Sequence, residues 1–560
     1  MSSNDDAVLK RNILALSSHN TQLSVSVSET ASSKNCSFQK SKKGEIIPVY
    51  SFQGRKMPLH STFDPIREGM RFSQNYPDGG YIVFFGFGGG YHILPFLQRN
   101  EVSQIIIIDK GIDLFRSVLE KLDCKNLILD PRVTFLIDYK PEEIRDYILS
   151  HYFPAVNGNL QTILLRSRVH IDQEYFAMVT EEIKKSISTL SDDYTVQAHF
   201  GRKWFKNTLA NLKSAQETTT TLPPISRAIV TGAGPSLEVH ISEIKTERLK
   251  AFLIATDTSL PCLMQYGIIP DCVISIDCQQ VSYNHFLSGI PSHIPLILDL
   301  ASPPDLTKLT KKLVFFSSGH PFSKYVNAHW RKFPFIDTSG GNVSHAAISL
   351  ADILGARETI LYGADFSYPE GKSYARGTYL YPYFQTRENR VSSLESQFFS
   401  FLLRNQNIVQ ENTGSFIRYT TKPMISYKER LENAVLHLKG RLIHKKGNGV
   451  SIKTNNNKKP VFSQTGSFPM LFAAGSPKHD WKYFLQKYER DLKDLPDPVK
   501  PFTSYFFNLT AKQQDIWTTL FPAVAAFRQE QINNSIEEME IIKKVLEWSI
   551  NIVFHYRNKM

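Results

Sequence analysis

Short, unbroken apolar runs that stop at small or acidic residues set the rhythm of this chain. Tyr81-Ile82-Val83-Phe84-Phe85 leads into Gly86-Phe87-Gly88-Gly89-Gly90 and a helical stretch, and Ile105-Ile106-Ile107-Ile108 ends in Asp109. Runs of that length read as buried strands, and together they make one βαβ unit. The pattern returns at 228–231, 252–256, 273–277, 296–300, 313–317 and 359–362, with helical stretches between several of the runs, one of them over 343–354. Strands alternating with helices predict a parallel sheet, because each parallel return needs a crossover.

The fold class expected is α/β: a Rossmann-like N-terminal domain over 46–217, a central parallel-sheet domain over 225–440 and a helical C-terminal domain over 475–560. The first 45 residues, rich in Ser, Asn and Thr, predict a flexible lead-in. Thr218 to Pro224 marks a boundary, and Lys445 to Lys459 reads as a linker or exposed basic loop. The helical tail rests on one-sided spacing, first in Trp481, Phe484, Leu485 and Tyr488, then in Ile532, Ile536, Met539, Ile542, Val545 and Leu546.

A chain of 560 residues is too long for one core, and its 42% hydrophobic and 21% charged residues are ordinary for a folded protein. The formal charge of +12 is scattered, which argues against a nucleic-acid footprint. Cys36, Cys124, Cys262, Cys272 and Cys278 show no CxxC spacing, so neither a disulfide framework nor a zinc site is expected. That cysteine usage fits a reducing cytoplasm, and no membrane span is expected, since the greasiest stretch, Tyr81 to Leu97, is broken by glycines and Pro95.

Candidate chemistry sits where the strands end. In Gly232-Ala233-Gly234-Pro235-Ser236 the glycines allow a tight turn, Pro235 presets a helical turn, and the amides of that turn predict a phosphate site. Asp257, followed by Thr258, and Asp277 end two further strands, and Asp271 lies in a turn between them. Carboxylates there accept from sugar or base donors, or hold Mg²⁺ against a diphosphate. Ser339-Gly340-Gly341-Asn342 precedes a second helix with His345 in its first turn, and His320 follows another strand. Gly363-Ala364-Asp365-Phe366 closes the 359–362 run and leads into a polar loop with Tyr368, Lys372, Ser373 and Tyr374, groups able to steady a departing phosphate. In the N-terminal domain the glycine run with Asp109 imitates a dinucleotide or S-adenosylmethionine fingerprint, and scaffolding and ligand binding both remain open for it.

The ordered set GxGPSL, D-T-S-L, G-I-x-P-D and S-I-D over Ile229 to Asp277 resembles the central domain of the motility-associated Maf flagellin glycosyltransferases. That domain family also includes 6-hydroxymethylpterin diphosphokinases of the MptE-like type. The stretch Ser339 to Gly377 is similar to sialyltransferases of the Campylobacter type as well. The resemblance implies transfer of a nonulosonic acid, pseudaminic or legionaminic, from a CMP-activated donor to Ser or Thr hydroxyls of flagellin, with inversion and no required cofactor. It places CMP on the 232–237 loop and Asp257, with Asp277 beside it, Ser339 and Gly340 near the sugar, and Tyr374 and Tyr368 on the phosphate. The sialyltransferase histidine downstream of Ser-Tyr-Ala has no counterpart between Arg376 and Val409. The base is then expected from His345, His320 or Asp365. Two alternatives stand beside this reading: a Mg-dependent diphosphokinase built on Asp257, Asp271 and Asp277, and a non-catalytic flagellar binding module.

Overall fold

The apolar runs become two parallel sheets in the computed structural model, which describes residues 3–455, 472–500, 502–530 and 538–559. By contacts the chain divides into unit 1, Met1–Gly201 with Asp494–Trp548, and unit 2, Arg202–Lys493 with Ser549–Met560. The division falls at Gly201, inside the helix Gln173–Glu217, and not at the Thr218 to Pro224 stretch.

In unit 1, β1 (Cys36–Lys40), β2 (Ile46–Phe52) and β3 (Arg55–Pro58) form an antiparallel meander. β4 (Gly80–Phe85), β5 (Val102–Asp109), β6 (Val133–Ile137) and β7 (Leu160–Leu164) form a parallel sheet in the order β6-β5-β4-β7, the Rossmann-like half expected. Tyr81 to Phe85 and Ile105 to Ile108 are buried throughout because packing covers both faces of the sheet, with Phe84 and Ile107 in one core and Phe85 and Ile108 in another.

The flexible lead-in is not what forms. Ser3–His19 and Thr21–Glu29 are helices, and Leu9, Leu16, Leu23 and Val27 are buried in the unit 1 core. The buried amide of Asn12 ties the first helix down, donating to Leu119 O and Leu122 O at 2.8 Å each and accepting from Cys124 N at 3.0 Å. Ser17, Ser18 and Ser28 on the outer faces, with Ser24 buried among the apolar positions, hid this helical spacing from a reading based on composition. The C-terminal stretch is helical as expected, and its helices divide between the two units. Trp481–Lys493 belongs to unit 2, whereas Phe502–Asn508 and Ala511–Glu530 belong to unit 1, where Arg528 donates to Ala155 O at 2.8 Å. Met539, Ile542 and Val545 are buried on Glu538–Lys559, while Ile532 and Ile536 lie outside the described residues.

In unit 2, β8 (Arg227–Thr231), β9 (Phe252–Thr256), β10 (Cys272–Ser275), β11 (Leu296–Asp299), β12 (Leu313–Phe316) and β13 (Glu358–Tyr362) take up the runs read from the sequence. β14 (Tyr368–Pro369), β15 (Val409–Asn412) and β16 (Ile417–Thr420) make a small antiparallel sheet, and β17 (Arg441–His444) completes the main one. The main sheet is parallel throughout, in the order β12-β11-β10-β9-β8-β13-β17. The chain works outward from β8 to β12 and then returns to β8's other side, so the switch point of this sheet lies between β8 and β13. Ligands of open α/β sheets bind at such a point, beyond the carboxyl ends of the strands. Among the described residues no helix is long and apolar enough to cross a membrane.

Candidate functional site

At the β8/β13 switch point the two strand-end loops press together. Gly232 N donates to Tyr362 O and Gly234 N to Gly363 O, each at 2.8 Å, and Ser236 N donates to Asp365 Oδ2 at 2.9 Å. A side chain at Gly232 would meet Gly363 O at 2.6 Å, and one at Gly234 would overlap the Asp365 carboxylate. Glycine is required here by the close approach of the two loops. Ala233 O accepts from Ala375 N at 2.9 Å, which draws the Ser373-Tyr374 loop onto the same edge.

The expected phosphate loop is thereby corrected. The amides of Gly234 and Ser236 are already used, and the helix after Pro235 runs only from Ser236 to Val239. Asp365 supplies the anion this turn was expected to take from a ligand. Burial pushes its carboxyl above the usual range, against the hydrogen bond from Ser236 N that pulls it down. The expected linker contributes as well. Gly447 packs on Ser236, Gly449 packs on Asp365, and Val450 N donates to Asp365 O at 2.8 Å.

The second helix N-terminus is better placed. Val343–Ile353 is capped by Asn342, whose Oδ1 accepts His345 N at 3.0 Å, and Ser344 Oγ lies against Gly232, 3.1 Å from where a Cβ there would sit. The first-turn amides of an 11-residue helix therefore stand beside the 232–234 loop. Gly341, with φ +73°, packs on the Tyr427 ring. Gly340 packs on the His345 ring, and Ser339 N donates to Asp337 Oδ1 at 2.9 Å.

Asp257 and Asp277 share the same carboxyl edge. Asp257 is buried, with Oδ1 accepting Thr258 N at 2.7 Å and Oδ2 accepting Ser275 Oγ at 2.6 Å. Burial raises the Asp277 carboxyl, and the neighbouring Asp257 charge raises it further against a bond from Gln279 N. The helix Gln173–Glu217 holds this loop in place, since Asn207 Nδ2 donates to Cys278 O and Ala301 O at 2.9 Å each. Tyr374 joins the group. Its phenol is pushed up by burial and by the nearby Tyr368, Tyr379, Asp257 and Tyr427. Gly234, Asp257, Asp277 and Tyr374 thus line one edge of one sheet.

Asp271 does not join them. It precedes β10 at the opposite edge, where its Oδ2 accepts Leu253 N at 2.7 Å. A four-residue strand separates it from Asp277, roughly 13 Å at the usual rise, so the three carboxylates expected around Mg²⁺ do not form one cradle. Among the described residues no group of three or more His, Cys, Asp or Glu is arranged to hold a metal ion.

The expected bases also sit elsewhere. His345 is buried with Nε2 3.2 Å from Asp337 Oδ2, beside a cavity lined by Ile348, Leu431 and His437. His320 stacks on Trp204 at 3.9 Å, near Asp299 at the end of β11. Asp365 is held by Ser236. A residue not singled out in the sequence, His285, stands in the cluster. Its Nε2 is 3.5 Å from Thr258 Oγ1, its ring meets Tyr379 at 4.8 Å, and it lies near Asp277. Its Nδ1 is buried with no hydrogen-bond partner. His285 lies in the 3₁₀ segment Gln280–Phe286, which has no apolar periodicity to flag it.

The glycine loop of unit 1 is also closed from within, but by an ion pair. Asp109 accepts Phe87 N and Lys110 N at 2.7 Å each and pairs with the buried Arg168 at 2.8 Å. The Arg168 stem fills the space over Gly86, and His60 accepts Gly89 N at 2.8 Å. The fingerprint carboxylate is thus spent inside the protein.

The sequence profile of the "6-hydroxymethylpterin diphosphokinase MptE-like" family matches residues 203–371. Among curated proteins, two uncharacterized proteins of Treponema pallidum (strain Nichols) are similar. One is 36% identical over 31% of this chain and 62% of its own length, and the other is 34% identical over 30% of this chain and 83% of its own. The chain thus spans less than two thirds of the first of them. Among solved structures, the Maf glycosyltransferase from Magnetospirillum magneticum AMB-1 shares the fold over 99% of this chain and 96% of its own, with a TM-score of 0.58 and 15% identity. Profile and fold agree: residues 203–371 are an MptE-like domain, and the chain as a whole shares the fold of a Maf glycosyltransferase.

Proposed function

We propose that this protein is a glycosyltransferase that moves a nonulosonic acid from a CMP-activated donor to a protein hydroxyl, flagellin being the acceptor suggested by the family resemblance. The observation that carries the reading is the convergence of Gly232, Ser344, Asp257, Asp277 and Tyr374 on the carboxyl edge of one parallel sheet. A donor phosphate would lie against the first-turn amides of Val343–Ile353 and the Tyr374 hydroxyl, with Asp257 and Thr258 toward the nucleoside. A CMP phosphate is already a good leaving group. The protein's task is to align the acceptor, take its proton and support charge as the phosphate departs. His285 beside Asp277 would take the proton. Direct attack gives inversion at the anomeric carbon.

Purified protein should be stabilised thermally by CMP or CDP without added metal. Asp257→Ala should remove that stabilisation, while His285→Ala should keep it and slow transfer by about 10²-fold or more, the usual scale for a lost proton acceptor. Unchanged turnover in His285→Ala removes that residue as base. Stabilisation by ATP with Mg²⁺ but not by CMP would favour a diphosphokinase, and indifference to every nucleotide would favour a binding module.

A further inference from the structure

Unit 1 carries a cavity of about 860 Å³ that the reading above does not use. It lies along the helix Pro65–Asn75 and beside the end of β7, and all its lining residues belong to unit 1. In the β6-β5-β4-β7 sheet the chain order reverses between β4 and β7, so the cavity borders that sheet's own switch point. The glycine loop there is filled from within by Arg168 and His60, but this neighbouring space is open.

Its walls are cationic and aromatic. Arg67 and Arg71 stand one helical turn apart on Pro65–Asn75, close enough to grip adjacent charges on one ligand. Arg166 faces the cavity from the segment after β7. All three are exposed, and none forms an ion pair among the described residues. The two carboxylates of the lining are already engaged. Asp64 Oδ1 caps the helix by accepting Arg67 N at 2.9 Å, and Glu68 Oε2 accepts Ser61 N at 3.1 Å and lies 3.0 Å from His60 Nδ1. Phe63 offers a half-exposed ring, with Lys42 Nζ 5.6 Å from its centroid.

Guanidinium groups bind phosphate oxygens in pairs with fixed geometry, and a flat apolar ring supports a base. The volume lies within the range of small-molecule sites. We propose that this cavity binds a nucleoside diphosphate, its two phosphates on Arg67, Arg71 and Arg166 and its base toward Phe63. An acidic peptide would also meet the arginines, but three guanidinium groups lining one open cavity beside an aromatic ring suit a compact polyphosphate better. The inference is independent of the transferase reading, which concerns unit 2.

The test is calorimetric titration of the full-length Asp257→Ala protein with ADP, so that the proposed unit 2 site is disabled. One saturable site is expected, with pyrophosphate competing and adenosine binding at least tenfold more weakly. Arg67→Ala/Arg71→Ala should weaken ADP at least tenfold, Arg166→Ala less, and Arg71→Lys should restore part of the loss. Because these side chains are exposed, unchanged melting temperatures in the variants are expected and confirm folding. Absence of saturable ADP binding at millimolar concentration overturns the proposal. So does ADP binding that the arginine variants leave intact, or a cavity that binds polyglutamate but neither ADP nor pyrophosphate.

Discussion

The two glycine loops of this protein start from the same sequence idea and are closed in different ways. Each follows a buried parallel strand, and each donates an amide to a carboxylate from elsewhere in its own sheet, Phe87 N to Asp109 in unit 1 and Ser236 N to Asp365 in unit 2. In unit 1 the carboxylate is paired with buried Arg168, whose stem occupies the place a ligand would take. In unit 2 no ion pair reaches Asp365 among the described residues, and the helix Val343–Ile353 brings Ser344 against Gly232. Whether a glycine-rich turn binds a ligand is decided by what fills its concavity. That filling comes from residues far away in sequence.

The comparison breaks most sharply at the loops themselves. Gly363 has φ +66°, and a Cβ there would overlap Gly232 O, so Gly363→Ala combines backbone strain with a backbone clash. Urea unfolding should show a loss on the order of 3 kcal/mol or more. Gly319→Ala, where a Cβ meets nothing within 4 Å, should stay within about 0.5 kcal/mol of the parent. Equal effects would mean the loops do not press together.

Comparable in size is the effect at the unit 1 pair. Arg168→Met leaves Asp109 buried and uncompensated, and a loss of about 3 to 5 kcal/mol is expected by denaturant titration. Arg168→Met with Asp109→Asn should recover part of it. A single variant as stable as the parent would show that Arg168 does not close this loop.

The smallest effect concerns Asp365. Its folded carboxyl is raised above the unfolded value, so the folded state holds its proton longer. Its contribution is most favourable below the unfolded pKa and declines as pH rises through the window between the unfolded and folded values. Asp365→Asn should flatten that decline in melting temperature above about pH 4, the ordinary carboxylate value. An unaltered pH profile would assign the slope to other groups.

The strands were legible because parallel strands buried on both faces are written as continuous apolar runs, and 228–231 through 359–362 each became one. The lead-in helices were not, because Leu9, Leu16, Leu23 and Val27 are diluted by serines, of which Ser17, Ser18 and Ser28 face outward and Ser24 is buried. β17 went unread between the expected domain end at 440 and the linker from Lys445, since Arg441–His444 carries two basic termini and only Leu442 is fully buried. At the site, the strand-end acids and Tyr374 could be read from position alone. The roles of Asp365, His345 and Asp271 could not, because they depend on which partner each meets in three dimensions: Ser236 N, Asp337 and Leu253 N. His285 carried no signal of its own beyond being a histidine a few residues past Asp277.

The central claim is that unit 2, and not the unit 1 glycine loop, receives the donor nucleotide at its sheet edge. A crystal structure of the full-length protein with CMP tests it most directly. The account predicts the nucleotide beyond the carboxyl ends of β8, β9 and β13, its phosphate within hydrogen-bond distance of the first-turn amides of Val343–Ile353 and its nucleoside beside Asp257. CMP seated on Gly86–Gly90, or an edge still empty at saturating CMP, would contradict it.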